Sequence, residues 1–142
     1  MKDAAAAIQQ AYYDRLNESG LWPCFDQPPV NAAFPFNRIE SIQTQDASTK
    51  SSRGQFVTVQ ISCNAVYSGD AGGKKDVEEQ ASLLCALIDD RSHRIDCKSD
   101  FHIITTVLES SMTFDDPRND PQSLIRRVLR FRHLVEEVFN SP

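Results

Sequence analysis

From Gln55 to Tyr67 apolar and polar positions alternate with a period of two. Val57, Val59, Ile61, Cys63, Ala65 and Tyr67 fall on one side, and Thr58, Gln60, Ser62 and Asn64 on the other. This pattern predicts a strand with one buried and one polar face. The segment Phe36–Asp46 reads as a strand before it. The polar run TKSSRG, 49–54, reads as a turn or hairpin tip, so the two strands are predicted to pair as an antiparallel hairpin. Two further strands are predicted over His102–Phe114 and Ser123–Val138, separated by the turn sequence DDPRNDP. In the last strand Ile125, Leu129, Phe131, His133 and Val135 share one face. Arg126, Arg130 and Arg132 share the other with Val128 and Leu134.

Two segments have helical spacing instead. Asp3–Glu18 is rich in alanine and straight-chain residues, places Ala4, Ile8, Ala11, Tyr12, Arg15 and Leu16 on one side, and stops naturally at Gly20. Lys74–Asp89 carries a stripe of Val77, Ala81, Leu84 and Ile88, widened by Leu83 and Leu87, that predicts a helix covering the apolar sheet face. Between the first helix and the first strand, Pro23, Pro28, Pro29 and Pro35 forbid a long helix or central strand, so 21–35 reads as irregular. Leu21, Trp22, Phe25 and Val30 suggest that this segment packs down. The predicted order is α-β-β-α-β-β. The fold class is α+β: an antiparallel four-stranded sheet with two helices on one face.

Composition narrows the function rather than naming it. The 142 residues, 40% hydrophobic and 25% charged, are expected to form one domain, 1–142, with a real core. No apolar run approaches membrane-spanning length, and the N-terminus does not read as a signal peptide, so a cytosolic origin and no membrane partner are expected. The four cysteines, Cys24, Cys63, Cys85 and Cys97, are scattered without a CxxC pair and read as free thiols; Cys63 and Cys85 fall on apolar faces. The net charge of −5 argues against a general duplex-DNA binder.

Candidate chemistry is sparse. The stretch GDAGGKK, 69–75, sits between a strand and a helix, where phosphate loops occur. It is one residue short of a Walker A motif, and Lys75 stands where Ser or Thr should meet magnesium, so a flexible connector is the better reading. His93, His102 and His133 lie in different elements. His93 is expected to end a helix, and His133 to be a hydrogen-bonded core or interface residue. The pairs Asp89–Asp90 and Asp115–Asp116 fall at element ends, where helix-end and turn duty explains them, and no Gly-x-Ser-x-Gly elbow is present. No enzyme activity, cofactor or metal is expected. The one concentrated basic feature is Arg126, Arg130 and Arg132, with Arg127 alongside. It reads as a solvated sheet face, an intersubunit surface or, last, a nucleic-acid face.

Three segments in order carry a family resemblance: FPFNRIESIQTQDAST; GQFVTVQISCNAVYSGDAGGKKDVEEQASLLCALID; and LIRRVLRFRHLVEE. Phe34–Pro35–Phe36, then Gly54, Val57 and Thr58, then Ala86–Leu87, then 127–131 (Arg-Val-Leu-Arg-Phe) match its pattern, and the match runs nearly the whole chain. The sequence thus resembles the small tail-completion or tail-terminator proteins of long-tailed phages and gene-transfer agents. It departs from them in the long Pro-rich 21–35 segment and the long third strand with its acidic turn.

The resemblance implies a structural virion protein, assembled in the host cytoplasm, that closes into a ring, commonly a homohexamer. Its partners would be other copies of itself, the tail tube protein, and a head-side connector or stopper protein, with genomic DNA passing through the lumen without specific binding. The ring would end tail polymerisation and join the tail to the head. Alternatives are a head–tail joining protein placed one ring higher, or a small non-viral binding module or enzyme. Contacts are expected at the hairpin tip (Thr49, Lys50, Arg53), at an exposed loop 115–120 (Asp115, Asp116, Arg118), and along Arg126, Arg130 and Arg132.

Overall fold

The computed structural model describes residues 2–18, 21–29, 33–68, 74–90, 94, 95, 97, 100–117 and 122–138. The elements in chain order are α1 (Ala5–Glu18), β1 (Cys24–Phe25), β2 (Phe36–Asp46), β3 (Gly54–Ser68), α2 (Lys74–Ile88), β4 (Phe101–Pro117) and β5 (Gln122–Glu137). Val30, the glycine-rich connector 69–73, His93 and Arg118 lie outside the described residues.

The α+β class and the order of the long elements agree with the sequence reading, but the sheet has five strands, not four, and is mixed. Its spatial order is β1-β2-β3-β5-β4. The added strand β1 runs parallel to β2, pairing Cys24 with Asn37 and Phe25 with Arg38. It begins where Asn37 N donates to the Pro23 carbonyl at 2.7 Å, and Cys24 N donates to Asn17 Oδ1 at 3.1 Å. Pro23 precedes it directly, and at two residues it is too short for any periodic signal in the sequence. The remaining strand pairs, β2–β3, β3–β5 and β5–β4, are antiparallel.

The alternation predicted for β3 is present. Val57, Val59, Ile61 and Cys63 are fully buried, and they share their face with Ile125, Leu129, Phe131, His133 and Val135 of β5. Both helices cover this face. α1 contributes Ala4, Ile8, Ala11, Tyr12 and Leu16 to the core, and α2 contributes Val77, Ala81, Leu84 and Ile88. Burial of each large side chain stabilises the fold by about 1.5–3 kcal/mol, so this layer dominates the energetics.

Polar groups then fix how the helices sit. Ala5 N donates to Asp3 Oδ1 at 2.9 Å, capping α1. Buried Gln55 accepts from Ala4 N at 3.1 Å and donates to the Lys2 carbonyl at 2.6 Å, tying the start of α1 to β3. Arg15 donates to the Leu87 and Arg94 carbonyls, each at 2.9 Å, bringing a cation to the C-terminal end of α2. Leu87 is half-buried as expected of the widened stripe, but Leu83 is 55% exposed and faces away from the core.

One expectation about the strands needs correction. β4 extends to Pro117, with Asp115 opposite Ile125 and Asp116 opposite Leu124. Asp115 and Asp116 are therefore strand residues and not part of an exposed loop. β4 is the outermost strand of the sheet, where Asp and Pro are tolerated. In addition, β2 and β4 each slip register, between Ile39 and Ser41, between Ile103 and Thr105, and between Leu108 and Ser110. These bulges leave Glu40, Ile104 and Glu109 as extra residues.

Candidate assembly interface

The sheet face opposite the helices is not simply polar. From β5 it displays Arg126, Val128, Arg130, Arg132 and Leu134, and from β3 the register places Phe56, Thr58 and Gln60 beside them. β4 adds Val107, Met112 and Phe114, all exposed, with Met112 57% accessible. Aromatic residues, Met and Arg are the types enriched at protein–protein interfaces.

The arginines are held in place by two carboxylates. Arg126 Nη1 donates to Glu40 Oε1 at 3.1 Å, and Gln60 Nε2 donates to Glu40 Oε2 at 2.9 Å. Arg130 and Arg132 lie 4.0 and 3.8 Å from the Glu109 oxygens. Both glutamates are bulge residues, and the bulges turn them towards the arginine stripe. Two guanidinium groups also cover rings: Arg126 over Phe114 at 5.4 Å and Arg132 over Phe56 at 4.9 Å. Each arginine keeps further donors free to reach outward, since a guanidinium carries five. The result is a partly exposed layer of apolar surface interleaved with paired charge.

Arg127 belongs to the other face. It stands opposite Cys63 and donates from Nη1 to Thr113 Oγ1 at 2.7 Å, while its buried Nε has no partner among the described residues. Cys63 is pushed up to about 12 by burial, then by Cys85 and Cys24, with Arg127 opposing. Cys24 rises to about 12 by burial and then Asp26. These thiols are protonated at neutral pH and poor nucleophiles. His133 is a core residue. Its ring nitrogens meet the hydroxyls of Tyr12 and, at 2.9 Å, Thr106. Burial, then Arg94, lowers its pKa to about 4, so the ring is neutral. Among the described residues no group of His, Cys, Asp and Glu has the arrangement to hold a metal ion.

The other residues expected at contacts do not join this face. Thr49, Lys50 and Arg53 form the exposed tip between β2 and β3, closed by Thr49 N to the Ser52 carbonyl at 2.9 Å and by the Thr49–Ser52 hydroxyl pair at 2.8 Å. The tip is thus already ordered by its own hydrogen bonds. Gly54 ends it where a Cβ would press on the Ala47 carbonyl oxygen at 3.3 Å. Asp115 lies roughly 35 Å away, near the other end of the β5 ladder, by the rise of an extended chain.

Glu40, Glu109, Phe56, Val107, Met112 and Phe114 were missed in the sequence. The signal for Glu40 was there: Ile39 and Ile42 are three apart in a strand, a spacing that faces both inward only across a bulge.

The chain thus combines an α+β sheet covered by helices on one side, an exposed arginine–aromatic face on the other, and buried protonated thiols. The sequence profile of the family described as Tail completion protein gp17 matches residues 1–136, and the chain belongs to that family. It is thus a structural protein of a virion tail. No curated protein sequence matches it. Among solved structures, a chain of "Virion of native gene transfer agent (GTA) particle" shares the fold at TM-score 0.74 and 20% identity, over 96% of this chain and 99% of that one. No helix among the described residues is long and apolar enough to cross a membrane.

Proposed function

We propose that this chain closes into a ring, commonly a hexamer in the family it resembles, which caps the finished tail tube, ends its polymerisation and meets a head-side connector. The observation that carries this reading is the open sheet face: exposed Val107, Met112 and Phe114 beside Arg126, Arg130 and Arg132, on a member of a tail-completion family. A ring needs two different surfaces that fit each other. The arginine–aromatic face supplies one of them and makes the contact between neighbours. Lys50 and Arg53 at one end of the subunit, and Asp115 near the other, reach towards the tail and the connector. The net charge of −5 suits a conduit that DNA passes without being held.

The test is tube growth in vitro. Purified tail tube protein is polymerised with and without this chain, and tube lengths are measured by electron microscopy. Capped tubes of limited length, each with a ring at one end, are expected. Tubes of unchanged length with bare ends would contradict the proposal.

A further inference from the structure

The ring proposed for this chain needs a second surface to meet the arginine–aromatic face. A cup of about 160 Å³ on that face indicates what the second surface must carry. Gln43, Gln45, Thr58, Arg130 and Arg132 line it, together with a single carboxylate, Glu109. The two guanidinium groups stand 4.0 and 3.8 Å from the Glu109 oxygens, ion-paired but beyond hydrogen-bond reach. Two cations against one anion leave a positive charge and unspent donors facing outward. Further along β5, Arg126 gives Nη1 to Glu40 and keeps its other donors.

The helix layer on the other side of the subunit holds carboxylates to match. On α1 the exposed positions Ala6, Gln10, Tyr13 and Asn17 are uncharged. On α2, Glu79 pairs with Lys75, and Asp76 accepts from the Tyr67 hydroxyl. Glu78 is exposed, and Asp89 is half-buried where it continues the last turn, its N–H donating to the Cys85 carbonyl at 2.9 Å. Neither of these two carboxylates has an ion pair or hydrogen bond among the described residues. By helical geometry they share one flank and lie about 16 Å apart. By strand geometry the middle of the Arg130–Arg132 pair lies about 17 Å from Arg126. The apolar positions correspond too. Leu83, 55% exposed, lies about 7 Å along the helix from Glu78. Met112 stands opposite Val128, about 10 Å along β5 from the cup. Ser82 and Ala86, also exposed, are small enough to let the helix approach a sheet closely.

We infer that α2 of a second copy of this chain lies on the open sheet face, antiparallel to β5. Its Glu78 enters the Arg130–Arg132 cup, its Asp89 meets Arg126, and its Leu83 packs on Met112. The contact is heterologous, joining two different patches of one chain head to tail as a ring requires. It takes the exposed apolar residues of both patches out of water and gives the unspent guanidinium donors charged acceptors. This contact rests on the ring reading and supplies its second surface.

Charge exchange tests it. The parent, Glu78→Arg, Arg130→Glu and the double variant are each mixed with tail tube protein and sized by native mass spectrometry, after far-ultraviolet spectra establish folding. Each single variant is expected to cut the share of subunits in rings roughly tenfold, and the double variant to regain roughly half of the parent's share or more, because the exchanged charges attract again. Should a single variant fail to fold, Asp89→Arg with Arg126→Glu is read in the same way. A parent that forms no ring overturns the ring proposal and this contact with it. A ring that survives Glu78→Arg, or a folded double variant no better than Arg130→Glu alone, overturns this contact and leaves the ring standing.

Discussion

The same two strands, β3 and β5, send Ile61, Leu129 and Phe131 to one side of the sheet and Gln60, Arg130 and Arg132 to the other. The helix-covered side is held by burial, and its main polar centre is a neutral histidine between two hydroxyls. The open side is held by charge and rings. Bulged Glu40 and Glu109 fix the guanidinium groups, Phe56 and Phe114 lie beneath them, and apolar surface stays accessible. Strand alternation assigns a residue to a face. What covers that face decides whether the residue stabilises the core or stays at the surface.

The largest effect should come from the covered face. Phe131→Ala is expected to cost about 3–5 kcal/mol in urea unfolding, because Phe131 is fully buried. Met112→Ala, on the open face, should stay within about 0.5 kcal/mol of the parent. Similar losses for both would erase the distinction between the faces.

Next is the pH dependence of the covered face. The folded-state pKa of His133 is lowered to about 4 by burial, then Arg94, against an ordinary value of 6.5. The unfolded chain therefore binds the proton first as pH falls. The stability that neutral His133 contributes is complete above about pH 6.5 and is lost on descent to about pH 4, by up to about 3 kcal/mol. Urea midpoints across that range should fall more steeply for the parent than for His133→Gln, which keeps a donor and an acceptor but does not titrate. Parallel curves would contradict the burial of His133 as a neutral group.

Smaller still is the intrinsic contribution of the open-face pairs. Glu109→Gln should lower subunit stability by no more than about 1 kcal/mol, since partly exposed ion pairs are worth little. Ring formation with tail tube protein should nevertheless weaken, because Arg130 and Arg132 lose the carboxylate that orients them. A large loss of subunit stability with assembly intact would reverse the roles given to the two faces.

Much of this was legible in the chain. The bounds of β2 and the start of α2 agree with the sequence reading, and the core stripe of β3 follows from spacing, because a long strand repeats its signal. The two-residue β1 repeats nothing, and its existence depends on Asn37 meeting the Pro23 carbonyl across the Pro-rich segment. The length of β4 was hidden by Asp115, Asp116 and Pro117, which read as a turn and are allowed in a strand only at a sheet edge. Leu83 completed an apolar stripe in sequence, yet it lines a groove, since helical spacing does not say where the sheet beneath ends. The arginine stripe was visible, whereas its partners came from bulges that shift the register and so escape a strict period of two.

The most direct test of the open face as the assembly surface is Arg130→Glu. Parent and variant are mixed with tail tube protein, and the particles are sized by native mass spectrometry after matching far-ultraviolet spectra establish that both subunits fold. The parent should appear as a closed ring, and the variant as a folded monomer that does not enter one. A ring of the same size and yield from Arg130→Glu would contradict the assignment.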